Sequence, residues 1–277
     1  MYDLKEKVIV VAGASSGIGR ETAKRMAELG AIVIATARRV EQLQETMQEI
    51  DKVKGVGEAY PCDFMVPEEV EKLAEYVMNK YGKIDVWVNG VGVNNAMGIT
   101  WEISYDEWMK ELHGNLKTCY IGSKCAINQM RKQGFGRIIN MSGGGVVKPE
   151  TYNSAYACSK TAIVRFTEGL AIELEAENVP IEVFAFGPGL ITTQRTIDLI
   201  NDPATMRFMP GIIAPIKEGK TTPIEEPAEF LAFIASGAVD KLKGCLLTVH
   251  MDKEELVKNA DKIVEDGSYK IIVKGLS

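Results

Sequence analysis

Short apolar runs rich in β-branched residues alternate along this chain with longer segments in which apolar residues recur every three or four positions. The first pattern predicts buried strands, and the second predicts helices that bury one face. The predicted strands cover residues 7–12, 31–36, a run ending at residue 62, 84–89, 137–141 and 180–186. The predicted helices cover residues 18–29, 40–51, 67–81, 105–131 and 154–176.

This alternation predicts an α/β fold, because parallel neighbouring strands need helical crossovers. We expect a Rossmann-type, doubly wound parallel sheet of about seven strands with helices on both faces. The 277 residues are expected to form a single domain, with a core over about residues 5–250 and a C-terminal extension over about residues 251–277.

Two segments depart from the alternation. Residues 188–227 are rich in Thr, Pro and Met and lack periodicity, which predicts a long mobile loop that serves as a lid or binding loop. Its apolar residues suit either an apolar pocket or the core; they are Met206, Phe208, Met209, Ile212 and Ile213. In the tail, residues 253–265 are helix-like and 269–273 are apolar. The tail could add an edge strand, cover the active site or complete a subunit contact.

Composition narrows the function classes. Hydrophobic residues make up 46% and charged residues 25% of the chain, as in soluble globular proteins. The net charge of −6 argues against nucleic acid and anionic lipid as partners. With no signal segment or membrane-spanning run, we expect a cytoplasmic protein. The five cysteines and two histidines have no metal-ligand spacing, so no metal site is predicted.

The sequence AGASSGIG over residues 12–19 joins the first predicted strand to the first helix. Glycines there permit a tight turn and let a dinucleotide pyrophosphate approach the helix N-terminus. A purely structural strand-to-helix turn is the alternative. The second strand ends in Arg38 and Arg39, where an acid would bind the ribose of NAD. Two arginines instead suit a 2′-phosphate, which predicts NADP(H), although solvated arginines would look the same.

Tyr156 and Lys160 are four residues apart on a predicted helix and therefore share one face. The lysine ammonium is expected to lower the pKa of the phenol towards neutrality and so prepare it for proton transfer. Taken alone, this spacing is more often a lysine stem lying beside a packed ring.

Several features occur along the chain in the order that is typical of one family. They are the glycine turn, Asp63, Asn89, Asn115, the pair of Tyr156 and Lys160, and the sequence PGLITT over residues 188–193. Over about residues 5–250 the chain resembles the short-chain dehydrogenase/reductase family. The resemblance implies hydride transfer between a nicotinamide and a carbonyl or alcohol, with Tyr156 as general acid and base. It also implies a homotetramer or homodimer formed through long helices.

The resemblance assigns two sets of residues. Catalysis is expected from Tyr156, Lys160, Asn115 and Ser142. Cofactor binding is expected from Gly13, Ser15, Ser16, Gly17, Ile18, Gly19, Arg38, Arg39, Asp63, Phe64, Asn89, Gly90, Tyr156, Lys160, Pro188, Gly189, Ile191 and Thr193. In the family's pattern Asn115 holds a water of the proton relay, and residues 188–193 contact the nicotinamide end.

The sequence departs from the family pattern before the tyrosine. The family's substrate-orienting serine aligns with Gly143, and Ser142 stands one residue early, where its side chain points to the other face of a strand. The glycines that follow could swing Ser142 into place, or Tyr152, Ser154 or a backbone N–H could substitute. Smaller departures are Ala12 and the sequence NGVG over residues 89–92.

Two functions are therefore compatible with the sequence. The first is an NADP(H)-dependent oxidoreductase that interconverts a carbonyl and a secondary alcohol on a fairly apolar, cyclic or steroid-like small molecule. The alternative is a catalytically weakened NADP(H)-binding regulatory or scaffold protein, for which Gly143 is the main motive.

Overall fold

The computed structural model describes residues 2–272, and its strands form one parallel sheet of seven strands in the order β3-β2-β1-β4-β5-β6-β7. The strands are β1 (Val8–Ala12), β2 (Ile32–Ala37), β3 (Val56–Pro61), β4 (Val86–Asn89), β5 (Arg137–Met141), β6 (Glu182–Gly187) and β7 (Leu246–Thr248). The predicted fold class is confirmed, and β7 is a strand that the sequence reading did not place. The single-domain organisation stays a prediction.

Helices cover both faces of this sheet. They are α1 (Gly17–Glu28), α2 (Val40–Lys52), α3 (Pro67–Tyr81), α4 (Tyr105–Leu112), α5 (Thr118–Gln133), α6 (Ser154–Ala176), α7 (Gln194–Ile200), α8 (Pro203–Phe208), α9 (Ile213–Lys217), α10 (Glu225–Ser236), α11 (Lys253–Lys258) and α12 (Ala260–Glu265). No helix among residues 2–272 combines the length and the apolar character that crossing a membrane requires.

Strand β1 shows why its sequence is apolar at every position. Ile9 and Val11 pack into one core with α1, α2 and α10, whereas Val8 and Val10 pack into a second core with α3, α5 and α6. Successive side chains of a strand point to opposite faces, so a strand covered on both faces has no polar side. All five residues of β1 are buried.

Two predicted segments differ from the structure. The segment 188–227 is not a structureless loop, because α7, α8, α9 and the beginning of α10 lie within it. These first three helices have five to seven residues each, too few turns to give a readable period. The predicted helix over 105–131 is interrupted by a π-helical segment, His113–Lys117, between α4 and α5.

In the tail, the helix-like segment is two short helices, α11 and α12, separated at Asn259. Residues 269–272 form no strand, although the carbonyl of Tyr269 accepts a hydrogen bond of 2.8 Å from the N–H of Leu246 at the edge of the sheet. Ile271 is held to α6, because its N–H donates to Glu168 Oε1 (2.6 Å) and its carbonyl accepts from Arg165 (2.6 Å). Val273 lies outside the described residues.

The strand order reverses at β1, whose two neighbours are β2 and β4. Connections leave these strands towards opposite faces of the sheet, which opens a crevice at their carboxyl ends. The segments that follow β1, β4, β5 and β6 all converge on this edge, and they contain most of the predicted site residues.

Candidate active site

The turn after β1 is closely packed around its glycines. Gly13 has a φ of +80°, and a Cβ on it would lie 2.8 Å from the carbonyl oxygen of Gly90. A Cβ on Gly19 would overlap the carbonyl of Gly13. Only glycine fits where the ends of β1 and β4 approach each other this closely.

Helix α1 begins beside this turn without a side-chain cap. Its N-cap residue, Ser16, makes no capping hydrogen bond, and the first turn contains no acidic residue. The N–H groups at the start of a helix carry partial positive charge and bind phosphate oxygens. The residues present here therefore fit a dinucleotide pyrophosphate.

The two arginines after β2 differ in their contacts. Arg39 Nη2 donates to Ser15 Oγ and to Ser16 Oγ, both at 2.9 Å, so its guanidinium lies over the glycine turn. Arg38 is 70% exposed, and its Nη1 lies 4.0 Å from Asp63 Oδ2. The structure thus brings Arg39 into contact with the serines of the turn and places Arg38 near Asp63, next to the position expected for an adenosine ribose.

Other predicted cofactor residues lie around the same crevice. Asp63 Oδ1 accepts a hydrogen bond of 2.9 Å from the N–H of Met65, and the buried Phe64 packs against Trp87. A Cβ on Gly17 would lie 3.4 Å from the methyl group of Thr193, so the segment after β6 reaches across to the glycine turn. Ile18, Pro188, Gly189 and Ile191 lie on these same two segments.

Asn89 points into the interior. Its Oδ1 accepts from Trp87 Nε1 (2.9 Å), and its Nδ2 donates to Ser123 Oγ (3.0 Å) and to Asn140 Oδ1 (2.8 Å). Asn140 Nδ2 in turn donates to Thr167 Oγ1 (3.0 Å). The side chain of Asn89 therefore ties β4 and β5 to the two long helices behind the crevice.

Asn115 lies in the π-helical segment and is fully buried. Its Oδ1 accepts from the N–H of Val93 (2.9 Å), and its Nδ2 donates to the carbonyl of Val93 (3.0 Å) and to Glu111 Oε1 (3.2 Å). Glu111 Oε2 accepts from the N–H of Asn95 (2.8 Å). Asn115 and Glu111 together fix the segment that follows β4, and π-helical turns of this kind are common at functional sites.

Tyr156 and Lys160 meet at the carboxyl end of β5. Lys160 Nζ lies 5.6 Å from the centre of the Tyr156 ring and donates to the carbonyl of Met141 (3.1 Å). Lys160 is only 4% exposed, so its charge is largely removed from water. The structure brings the predicted pair together on one helix face.

The predicted lowering of the Tyr156 pKa towards neutrality is wrong for the chain by itself. Burial raises the pKa of Tyr156 to about 12, and the charge of Arg195 partly opposes this while Glu150 and Glu111 add to it. Burial lowers the pKa of Lys160 to about 8. Desolvation disfavours both charged forms, and it outweighs the attraction between an ammonium and a phenolate.

The lowered pKa of Lys160 predicts how the stability of the folded protein depends on pH. Between pH 8 and 10 the folded protein releases the Lys160 proton, whereas an unfolded lysine with its pKa of 10.5 keeps it. The unfolded state then binds more protons, so the free energy of unfolding rises with pH. We expect the wild type to gain about 2 kcal/mol over this window relative to Lys160→Met, measured by urea unfolding at pH 8, 9 and 10.

The exposed Lys124 provides the control for this measurement. Lys124→Met should keep the wild-type pH dependence, because it removes a lysine from the surface and leaves the buried Lys160 in place. Parallel curves for the wild type and Lys160→Met would contradict the prediction.

The structure shows how the candidates for a substrate-orienting serine are placed around Tyr156. Ser142 is buried, and its Oγ donates to the carbonyl of Lys160 at 3.4 Å. A Cβ on Gly143 would overlap Tyr156 Oη and lie 3.0 Å from Cζ, so the phenol occupies the space of a side chain at this position. Ser154 Oγ accepts from Trp108 Nε1 (3.2 Å). A role for Ser142 in orienting a substrate stays a prediction.

Residues 143–150 line an open cavity of 310 Å³ beside the Tyr156 hydroxyl. Tyr152, just beyond it, has a φ of +62° and packs its ring 5.1 Å from that of Phe208 in α8. A residue with a side chain is rarely held in this left-handed conformation, except where the surrounding contacts enforce it. The segment 188–227 therefore contacts the chain at Tyr152, two residues beyond the cavity lining; α7, α8 and α9 within it are called the lid below.

Sequence reasoning missed three charged residues at this site: Glu111, Glu150 and Arg195. Glu111 precedes Asn115 by four residues and so shares its helix face, which is a signal that could have found it. Arg195 and Glu150 come from segments without periodicity, and nothing in the sequence placed them near Tyr156.

Comparisons with known proteins agree with this geometry. A family model described as short chain dehydrogenase matches residues 7–204. The chain belongs to this family. It is therefore an oxidoreductase of a family that binds NAD(P)(H) and acts on CH–OH groups.

This short-chain dehydrogenase has relatives that it matches along most of their length. It is 30% identical to a 3-oxoacyl-(acyl-carrier-protein) reductase of Haemophilus influenzae, over 89% of this chain and 98% of the relative. It is 31% identical to a 7α-hydroxysteroid dehydrogenase of Clostridium sardiniense, over 86% of this chain and 91% of the relative. A crystal structure of an actinorhodin polyketide ketoreductase with NADPH superposes with a TM-score of 0.79 at 28% identity, over 90% and 97% of the two chains.

Proposed function

We propose that this short-chain dehydrogenase is an NADP(H)-dependent enzyme that interconverts a carbonyl and a secondary alcohol on a fairly apolar, cyclic or steroid-like small molecule. The observation that carries the proposal is the pair of the half-buried Tyr156 and the buried Lys160, which lies beside an open cavity and at the same sheet edge as the glycine turn. We also propose that Asn115 positions the segment after β4 and that no metal takes part.

Tyr156 is suited to act as the general acid. With a pKa of about 12, its phenol keeps its proton at neutral pH until negative charge forms on the substrate oxygen. The residues of the glycine turn and the arginines after β2 would hold NADPH, and the chemistry supplied there would be hydride transfer to the carbonyl carbon. The phenol proton then passes to the resulting alkoxide oxygen, and the proton moves back to Tyr156 in the oxidation direction.

Lys160 supports this step through its charge. With a pKa of about 8 it remains mostly protonated at pH 7, and its ammonium stabilises the phenolate that forms when Tyr156 gives up its proton. This attraction to the phenolate offsets part of the cost that burial adds to the proton transfer. Asn115 and Met141 keep the surrounding backbone in place for Lys160.

The arginines after β2 support the choice of NADP(H). Charge-assisted hydrogen bonds to a 2′-phosphate contribute about 1.5–3 kcal/mol each. We expect the wild type to prefer NADPH over NADH in kcat/KM. Arg38→Ala and Arg39→Ala should each reduce that preference by about 10- to 100-fold, because one NADPH-specific contact is lost.

The exposed Arg131, in the last turn of α5, provides the control for cofactor choice. Arg131→Ala should leave the ratio of kcat/KM values for NADPH and NADH unchanged. An unchanged ratio in both Arg38→Ala and Arg39→Ala would count against NADP(H) recognition by these arginines.

The apolar residues of the lid support a fairly apolar substrate. None of Met206, Phe208, Met209, Ile212 and Ile213 is buried, which favours a pocket lining over a second core. The hydroxysteroid dehydrogenase relative supports a cyclic alcohol or ketone. A panel of cyclic ketones, with NADPH consumption followed at 340 nm (the absorbance band of the reduced nicotinamide), tests this substrate class.

A second candidate function is an NADP(H)-binding regulator with weak catalysis, and Gly143 is the observation that favours it. An oxyanion donor contributes about 3–4 kcal/mol to such reactions, and glycine supplies no side chain at this position. Tight binding of NADPH without turnover of any ketone in the panel would support this function over the first.

We further propose a cytoplasmic homodimer or homotetramer formed through the long helices. Tyr120 on α5 and Ile172 on α6 are 50% and 66% exposed, although both are large apolar residues on helices of this kind. Sedimentation equilibrium of the purified chain tests the oligomeric state.

A further inference from the structure

We infer that Arg195 is a specificity-determining residue that binds an anionic group of the substrate, so that the preferred substrates are ketones or secondary alcohols that also carry a carboxylate. The inference rests on the proposed function and narrows its substrate class. It comes from the position of the Arg195 guanidinium, its neighbours and the absence of an acidic partner among the described residues.

The backbone that carries Arg195 is fixed by the first turn of α7. Thr193 Oγ1 accepts from the N–H of Thr196 (3.3 Å), and Thr196 Oγ1 accepts from the N–H of Thr193 (2.7 Å). Thr193 also faces Gly17 across the crevice. Arg195 is thus held at the point where the lid crosses from β6 to the opposite wall.

From there the side chain reaches the segment that follows β4. Arg195 Nη1 donates to the carbonyl of Gly92 at 3.1 Å. A Cβ on Gly92 would lie 3.3 Å from Lys160 Nζ and 3.0 Å from Asn115 Oδ1. The guanidinium of Arg195 therefore contacts Gly92, and Gly92 in turn lies beside Lys160 and Asn115.

Arg195 has no carboxylate within 4.0 Å anywhere in residues 2–272, unlike Arg20, which pairs with Glu45, and Arg25, which pairs with Glu229. The side chain is exposed, and one of its five N–H donors binds Gly92. A guanidinium with its remaining donors free binds a carboxylate through two parallel hydrogen bonds, for which its planar shape is suited.

The two acids near Tyr156 are already held by other donors. Glu111 accepts from the N–H of Asn95 and from Asn115, and Glu150 Oε2 accepts from Asn153 Nδ2 at 3.0 Å. Neither carboxylate neutralises Arg195. The positive charge at this wall of the crevice is therefore available to a ligand.

The charge of Arg195 also influences the pKa values of Tyr156 and Lys160. Burial is the main influence on the pKa values of Tyr156 and Lys160, and Arg195 is the next, lowering both. Because Arg195 reaches Gly92, which lies beside Lys160 and Asn115, an anion bound to Arg195 would lie in the same crevice as the reacting carbonyl. This placement distinguishes short keto acids and ring-bound keto carboxylates from neutral ketones of the same shape.

The experiment compares cyclic keto acids with their methyl esters. In the wild type, kcat/KM should be higher for each acid than for its ester. Arg195→Ala should lower kcat/KM for the acid by about 10- to 150-fold and change that for the ester by less than about twofold. Arg195→Lys, which keeps the charge and loses the planar fork, should fall between these values. The exposed Arg131 of α5 provides the control, and Arg131→Ala should behave as the wild type.

Two results would overturn the inference. One is an equal loss for acid and ester in Arg195→Ala. The other is a rise in KM for NADPH with the ratio of acid to ester unchanged, which would show that the anion bound by Arg195 is the cofactor's pyrophosphate.

Failure of the proposed function has a different signature. If the wild type reduces none of these ketones, that function fails, and calorimetric titration of the keto acid into protein saturated with NADP⁺ decides the inference separately. Binding of the acid that is lost in Arg195→Ala supports the anion site. Equal binding by both proteins, or none by the wild type, overturns it.

Discussion

Replacing Tyr156 by phenylalanine is expected to lower kcat for ketone reduction by about 10²- to 10⁴-fold, the usual contribution of a positioned general acid. Phenylalanine fills the same space against Gly143 but has no proton to give to the alkoxide oxygen. The loss should therefore appear in turnover and leave the KM for NADPH nearly unchanged.

Steady-state kinetics with NADPH and the best ketone of the panel check this result. Tyr105→Phe is the matched control, since Tyr105 is 76% exposed at the beginning of α4, away from the pair. Its kcat should equal that of the wild type. A Tyr156→Phe enzyme that retains a tenth or more of wild-type kcat would show that another group donates the proton.

The second large effect concerns stability. Asn89→Ala is expected to lower the free energy of unfolding by about 2–4 kcal/mol, because it leaves the buried Trp87 Nε1 without an acceptor and removes one of the two donors to Asn140 Oδ1. An unpaired buried group costs about 1–3 kcal/mol and a lost hydrogen bond about 1 kcal/mol, whereas small proteins have only about 5–15 kcal/mol in total. Urea unfolding followed by tryptophan fluorescence measures the difference.

A control and a milder variant keep this prediction testable. Asn201 is exposed and bonds only to the carbonyl of Ile197 in its own helix, so Asn201→Ala should change stability by less than about 0.5 kcal/mol. Ser123→Ala removes a single member of the network and should cost about 1 kcal/mol. Equal stability of Asn89→Ala and Asn201→Ala would mean that the network does not contribute as its geometry indicates.

Several features of the site were readable only in part. Asn89 was correctly placed at the end of β4, but its side chain points into the interior, because whether an amide faces the crevice or the core depends on the helices packed behind it. Asn115 was placed on a long helix, and the π-helical turn that brings it against Val93 leaves no mark in the sequence. The hydrogen bond between Asn115 and Glu111 could be identified only from the three-dimensional position of this segment.

The sequence by itself determined the order of β1 to β6 and of the long helices between them, the glycine turn and the spacing of Tyr156 and Lys160. These are properties of neighbouring residues: a strand buried on both faces must be apolar throughout, and residues four apart on a helix must share a face. The tertiary structure alone decided that burial raises the pKa of Tyr156, that its hydroxyl lies against Gly143, and that Arg195 crosses to Gly92. Desolvation and contacts between distant segments depend on how the whole chain packs, so no local pattern encodes them.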